Sequence, residues 1–282
     1  MITASRSFKN KVSLSLRYFL MTSIALIVLL PFLWMISTAL KPLEQVFIFP
    51  PKWIPNPIMW NNFRDVLTSF PFFLYLKNTS IITLLSIFGH LLSCSLVAFG
   101  FSRINFPGRD ILFLLMISTM IIPWEALMIS QYILFKLLGW VDTFAPLVVP
   151  RFFGNAFLIF LLRQFFLTIP IELDEATKID GGGYLTIYSK VVLPLVKPAL
   201  IMVSIFSFTW YWNDFMGPLI YLNSSEKITL SLGLRLLTGH LVVTGWNLMM
   251  AASLMVTIPC VILFIVAQKY FIESIVLTGL KG

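Results

Sequence analysis

Charge is the scarcest property of this 282-residue chain: 11% of its residues are charged, against 59% hydrophobic. A soluble globular domain carries about 25% charged residues. With a mean hydropathy of +0.92, one domain of this length has more apolar surface than it can bury. Lipid is its natural solvent. Cysteine and histidine are almost missing, two of each. Cys94 and Cys260 lie in apolar stretches and read as small buried hydrophobes, not as a disulfide or a metal pair. His90 and His240 are far apart and read as helix-packing or surface residues. No Cys/His cluster has zinc spacing, so no metal site is expected. The phosphate loop G-x-x-x-x-G-K-[ST] is absent, and "GGGYLTIYSK" has its glycines and lysine at the wrong spacing. No serine, histidine and acid constellation suggests hydrolysis. The chain by itself is therefore expected not to be an enzyme, with no catalytic residues. The net charge of +8 would suggest nucleic acid in a soluble protein. Here it falls in short loops without interleaved aromatics, so it speaks of membrane topology and not of nucleic acid.

What the chain has is apolar runs long enough to cross a bilayer, which takes about 20 residues. Six are read, at 17–40, 77–101, 111–135, 145–168, 198–222 and 247–270. The fold class is an all-α integral membrane protein with six transmembrane helices, in a single domain over 1–282. The first run follows Arg6, Lys9, Lys11 and Arg17 but exceeds the 7–15 residues of a signal h-region, so it is expected to be retained. Six spans put both termini on one side. If that side is the cytoplasm, the inner segments hold 12 of the 20 Lys and Arg residues and the longer outer loops hold 8. The N and C termini are accordingly expected inside, in a cell membrane. The outer stretch "FPPKWIPNPIMWNNF" reads as irregular and interfacial, with Trp53 and Trp60 at the headgroup level.

One polar island interrupts this pattern, at 169–196. Pro170 opens it, Glu172, Asp174 and Glu175 complement a first-turn dipole, and Gly181, Gly182 and Gly183 stop a helix. A second short helix should place Tyr184, Ile187, Tyr188 and Val191 on one face, with Pro194 and Pro198 marking the return to the membrane. The bland alternative is an interfacial linker. It leaves the acidic turn and the glycine break unexplained. Two acids lie inside spans, where ionisable groups usually face a bundle interior or a cavity. Glu125 sits beside Trp124 and after Pro123. Asp214 follows Trp210, Tyr211, Trp212 and Asn213. Acids and amides beside aromatic rings suit a sugar, so Trp124, Glu125, Trp212, Asn213 and Asp214 are the candidate substrate path. The alternatives are interfacial anchoring for the tryptophans and a helix cap for Asp214.

The island resembles the EAA loop of the membrane subunits of binding-protein-dependent ABC importers, Glu-Ala-Ala, three residues, Gly, nine residues, Ile-x-Leu-Pro. Here Glu175-Ala176-Thr177 is followed by Gly181 and then, nine residues on, by Val191, Val192, Leu193 and Pro194. Thr177 and Val191 are mild departures. "LKNTSII", "FSRINFPGRDILF", "LLGWVDTFAPLVVP", "WNDFMGPLIYL" and "QKYFIESIVLTGLKG" extend the resemblance, to the carbohydrate branch similar to the smaller maltose permease subunit, over nearly the whole chain. In the tail, Glu273 stands where that branch commonly has glycine. The resemblance implies a cytoplasmic coupling helix that docks on a separate ATP-binding subunit. It assigns Glu172, Glu175, Ala176, Asp180, Gly181, Val191, Leu193 and Pro194 to ATPase coupling, and makes Arg103, Arg109 and the tail to Gly282 secondary contacts. It also implies a second permease, two ATP-binding subunits that hold ATP and magnesium, an external binding protein and a carbohydrate, with no cofactor in this chain. Arg151 is the sole basic candidate for an anionic substrate, which favours a neutral sugar. An ion-gradient transporter using Glu125 and Asp214 is the alternative; it predicts an inverted repeat, and none is seen.

Overall fold

The computed structural model describes residues 2–69, 71–240 and 245–279, with side chains over 14–68, 71–237 and 245–268. Lys281 and the end of the tail at Gly282 lie outside the described residues, as do the side chains of Arg6, Lys9, Lys11, His240, Lys269 and Glu273. No strand occurs among the described residues. The helices run α1 (Ile2–Ala39), α2 (Asn61–Ser69), α3 (Phe72–Arg103), α4 (Arg109–Ser118), α5 (Trp124–Leu137), α6 (Ala145–Val148) and α7 (Ala156–Leu167). They continue as α8 (Glu172–Ile179), α9 (Tyr184–Thr186), α10 (Leu193–Leu195), α11 (Lys197–Trp212), α12 (Met216–Tyr221), α13 (Leu230–His240) and α14 (Trp246–Gly279). Among the described residues, four helices are long and apolar enough to cross a membrane, or up to six if each bent pair is one span. Two compact units emerge, Met1–Phe70 with Leu236–Thr257, and Pro71–Arg235 with Ile258–Gly282.

In the first unit, α1 exposes its hydrophobic side chains from Leu14 onward, as a helix facing lipid does. Its C-terminal end needs acceptors satisfied. The Asn62 amide donates to the carbonyls of Ala39 at 2.8 Å and Lys41 at 2.9 Å, and the Asn247 amide reaches the latter at 3.2 Å. Lys41 is fully buried with its ammonium 3.8 Å from the Trp34 ring centroid. Burial pulls its pKa below the ordinary lysine value. Trp53 meets Trp34 edge-on at 5.0 Å, while Trp60 remains exposed.

The second unit is built on α3. Cys94, Ala98 and Phe99 from α3 pack with Leu158, Ile159, Leu162 and Phe166 from α7 and with Ala199 and Val203 from α11. The same helix carries a buried polar stripe, Thr79, Thr83, Ser86 and His90, at helical spacing. In lipid such groups turn inward and find partners. Thr79 Oγ1 accepts from the Leu230 amide at 2.8 Å, and the Asn78 amide donates to the carbonyls of Glu226 and Ile228.

Three of the sequence-read spans are interrupted. The run 111–135 is bent by 97° between the limbs Arg109–Ile121 and Trp124–Leu137. Pro123 explains the break: it has no N–H to donate and forces the residue before it out of the helical region, and Ile122 is extended at ψ 115°. In 145–168 the chain breaks at Gly154 and restarts as α7 with Asn155 as its cap, whose Oδ1 accepts the Leu158 N–H at 3.1 Å. In 198–222, α11 ends at Trp212 and α12 begins at Met216.

Candidate functional site

The polar island folds as an elbow. α8 carries Glu172, Asp174 and Glu175 in its first turn and ends in a Schellman motif. Gly182 N–H donates to the Thr177 carbonyl at 2.8 Å, and Gly181 N–H to the Lys178 carbonyl at 3.0 Å. Gly181 has φ +83°, in the left-handed region. Gly182 is required for a different reason: a Cβ there would sit 2.9 Å from the Thr177 carbonyl oxygen and 2.7 Å from its methyl.

Glu172, Glu175, Ala176, Asp180, Gly181 and Pro194 are exposed, and Val191 and Leu193 are half-buried. Ile179 and Leu185 stand out between them, 86% and 75% exposed. The second limb departs from the expected face. Ile187 and Val192 are the buried pair, while Tyr184 is 48% exposed and Val191 only half-buried. The cause is a π-helical turn over Ile187–Val192. Its i→i+5 bonding aligns residues five apart, so Val192 replaces Val191 under Ile187.

Arg103 is not a free surface contact, as the resemblance would have it. Its side chain is 3% exposed and stands 3.5 Å from Asp174, which is 4% exposed. Its Nη2 donates to the carbonyls of Phe166 at 3.0 Å and Ile169 at 2.8 Å. One guanidinium thus joins the C-terminal end of α3, a carbonyl in the last turn of α7 and one just beyond it, and the first turn of α8. Arg109 is tied locally, to Asp110 and Asn105.

A second feature is a cavity of about 770 Å³ lined by Trp124, Glu125, Arg151, Trp210, Tyr211 and Asp214 among others. Trp124, Glu125 and Asp214 are thus brought to one space. Trp212 and Asn213 do not line it: Trp212 is buried, stacked on Phe208 at 5.1 Å, and the Asn213 amide donates to the Thr209 carbonyl at 2.9 Å. Asp214 Oδ1 accepts the Gly217 N–H at 3.0 Å, in the spacing of a helix cap. Arg151, the basic candidate noted in the sequence, lines the cavity with its guanidinium carbon 4.8 Å from the Tyr211 ring centroid; what the sequence does not reveal is the chain behind that ring. The Tyr211 hydroxyl bonds His90 Nε2 at 3.2 Å, and His90 Nδ1 bonds Ser207 Oγ at 3.0 Å. His90 is therefore a buried packing residue and not a surface one.

Between α5 and α6, Asp142 makes a clasp outside the spans. Its carboxylate accepts the amides of Asn223 and Ser224, both at 2.9 Å, the Ser224 hydroxyl and the Lys227 ammonium. These donors, the Ser224 hydroxyl first, hold its pKa well below the usual carboxylate range.

Broken apolar helices around a cavity with charged walls define a multi-pass membrane protein built for passage. No family model matches the chain. It is similar to a probable ABC transporter permease protein of Pyrococcus horikoshii, 32% identical over 257 residues, covering 90% of this chain and 93% of that one. It is also similar to the arabinooligosaccharides transport system permease protein of Halalkalibacterium halodurans, 32% identical over 267 residues, covering 92% and 93%. Its fold matches a chain in the crystal structure of a bacterial ABC transporter involved in the import of the acidic polysaccharide alginate. There the TM-score is 0.82 at 26% identity, over 93% of this chain and 98% of that chain. The chain belongs to the ABC transporter permease family.

Proposed function

We propose that this chain is the permease subunit of a binding-protein-dependent importer for a carbohydrate, and that the elbow at 169–196 is its joint with a separate ATPase. One observation carries the reading. α8 exposes Glu172, Glu175, Ala176 and Ile179, with Asp180 exposed at its C-terminal cap, while its first turn is fixed through Asp174 to Arg103. A short helix presented to a partner and anchored behind moves as a rigid body with the transmembrane helices; a loose loop would absorb the motion. The Halalkalibacterium relative is named for arabinooligosaccharides and the solved neighbour for alginate, both carbohydrates. In this reading a companion permease completes the path, two ATPase subunits supply ATP and magnesium chemistry, an external binding protein delivers the sugar, and both termini are cytoplasmic. Trp124, Glu125 and Asp214 belong to the substrate path.

The test begins with gentle purification of the tagged chain from its own membrane and mass spectrometry of its companions. A Walker-motif ATPase and a second multi-span protein are expected. Gly181→Arg and Glu175→Lys should leave the chain inserted and reduce ATP-driven uptake at least tenfold, roughly the loss of one strong contact. Activity of the chain alone under an ion gradient would overturn the proposal.

A further inference from the structure

Arg151 is an unusual cation. Its Nε donates to the Leu147 carbonyl at 3.3 Å and its guanidinium carbon lies 4.8 Å from the Tyr211 ring centroid, but its Nη hydrogens have no acceptor among the described residues. The ion pairs found among those residues involve Arg103, Arg109 and Lys227, not Arg151. Yet two carboxylates, Glu125 and Asp214, line the same cavity. Asp214 Oδ1 accepts the Gly217 amide, and no ion pair joins Asp214 to the arginine among the described residues. A cation within an apolar bundle is costly when nothing neutralises it. Here it is also held stiffly. The ring beneath it is fixed by its hydroxyl to His90, and His90 by its other nitrogen to Ser207. His90 and Ser207 are both buried. They are positioning residues for a ring that carries an open guanidinium.

We infer that Arg151 binds an oxyanion on the transported molecule, so that the carbohydrate carried is an acidic one; the inference rests on the permease reading above. A guanidinium with both Nη groups free takes a carboxylate or a phosphate in a two-point contact. Glu125 is left for sugar hydroxyls, and Trp124 and Trp210 for the apolar faces of the rings. The volume, about 770 Å³, is that of a cleft for a sizeable ligand and far exceeds the needs of a three-carbon phosphate ester. An oligosaccharide with carboxylate groups therefore fits better than a small sugar phosphate. This reverses the neutral preference drawn from the scarcity of basic residues in the spans: one arginine suffices when no carboxylate among the described residues is ion-paired with it.

The test uses the complete importer, reconstituted in liposomes with its companion permease, ATPase subunits and binding protein. The probes are trigalacturonate, glycerol 3-phosphate and neutral arabinotriose, with ATP-dependent accumulation measured for each. Wild type should favour trigalacturonate over arabinotriose. Arg151→Gln should lower that ratio about tenfold, the worth of one charge-assisted contact. Arg151→Lys should give a ratio between wild type and Arg151→Gln, since the charge remains but the two-point fork and its seat on the Tyr211 ring are lost. The binding protein is the same in every arm, so a changed ratio belongs to the permease. Tyr211→Phe keeps the ring and removes only its tie to His90. It should lower the ratio by about twofold to threefold, and it carries the test if Arg151→Gln does not assemble. Preference for glycerol 3-phosphate would keep the oxyanion and reject the uronate. Equal or greater uptake of arabinotriose, or a ratio unmoved in Arg151→Gln, overturns the inference while leaving the importer reading intact. Absence of ATP-dependent uptake of any probe removes the carbohydrate reading and this inference with it.

Discussion

Arg103 and Arg151 are both guanidinium groups in an apolar bundle, and they end in opposite states. Arg103 is 3% exposed, with two backbone carbonyls and an aspartate around it. Arg151 has one carbonyl, an aromatic ring and open space. The first arrangement uses charge to weld helices together. The second uses a ring and a hydrogen-bonded histidine to hold a charge ready. What separates a structural arginine from a binding one is the number of acceptors the protein itself supplies, and that number depends on which helix ends converge.

The sharpest way to break the comparison is to open the closed end. Arg103→Ala leaves Asp174 buried without a cation and two carbonyls without a donor. Removing one partner of a buried pair costs about 3–5 kcal/mol. Thermal unfolding of the purified permease should show the loss, and ATP-driven uptake should fall further than in any single substitution of the exposed elbow. Arg103→Met combined with Asp174→Leu should recover much of the stability, since an apolar pair replaces an ionic one. If the double variant is as unstable as the sum of its parts, the weld is not a coupled unit.

The elbow was the more legible region. Its acids, its glycine break and its punctuating prolines are local signals, and they fall in the order that helix caps demand. The role of Asp174 was not legible, because nothing local separates it from Glu172 and Glu175. Only the convergence of α3 and α7 makes one of the three acids internal. The π turn was equally hidden, since the residue pattern suits a regular helix and the extra residue per turn comes from packing Ile187 and Val192 together. Pro123 is a local signal of the break within 111–135, which apolar length alone does not show. The cavity was half legible. Acids inside spans pointed to Glu125 and Asp214, but Trp212 was assigned by its neighbours and turns away toward Phe208. The usable signal lies elsewhere: Thr79, Thr83, Ser86 and His90 recur at helical spacing in an otherwise apolar span. That stripe marks the inward face and leads through His90 to Tyr211 and Arg151.

The elbow's three glycines sharpen the comparison by asking how stiff the closed end must be. They look alike in sequence and differ in geometry. A Cβ on Gly182 would collide with the Thr177 carbonyl at 2.9 Å, which backbone cannot yield cheaply. Gly181 has open space but a left-handed φ of +83°. There an L-residue costs about 1–2 kcal/mol. Gly183 has open space and φ −89°, which any residue adopts. The expected order of damage on alanine substitution is Gly182, then Gly181, with Gly183 near wild type. ATP-coupled uptake at fixed membrane abundance measures it. Similar losses at all three positions would mean that the elbow responds to bulk at the partner's surface and not to its own backbone.

Asp142 tests the comparison from the acid side and outside the membrane, where the effect should be smallest. It resembles Arg103 in having many partners: two amides, a hydroxyl and an ammonium surround one carboxylate. It resembles Arg151 in staying within reach of water, with 28% of its side chain exposed. Its folded pKa is depressed, so its contribution to stability is fully present above the unfolded carboxylate value, near pH 4. It fades as pH falls below that value toward the folded one. Between pH 7 and pH 5 the clasp should therefore not respond. Between pH 4 and pH 2 the thermal midpoint of wild type should fall more than that of Asp142→Asn, which has no charge to lose. The difference should shrink at high salt for the Lys227 contact and persist for the two amides, because fixed backbone donors are not screened as mobile side chains are. A midpoint gap that widens instead between pH 7 and pH 5 would place the titrating group elsewhere and leave Asp142 as a turn residue only.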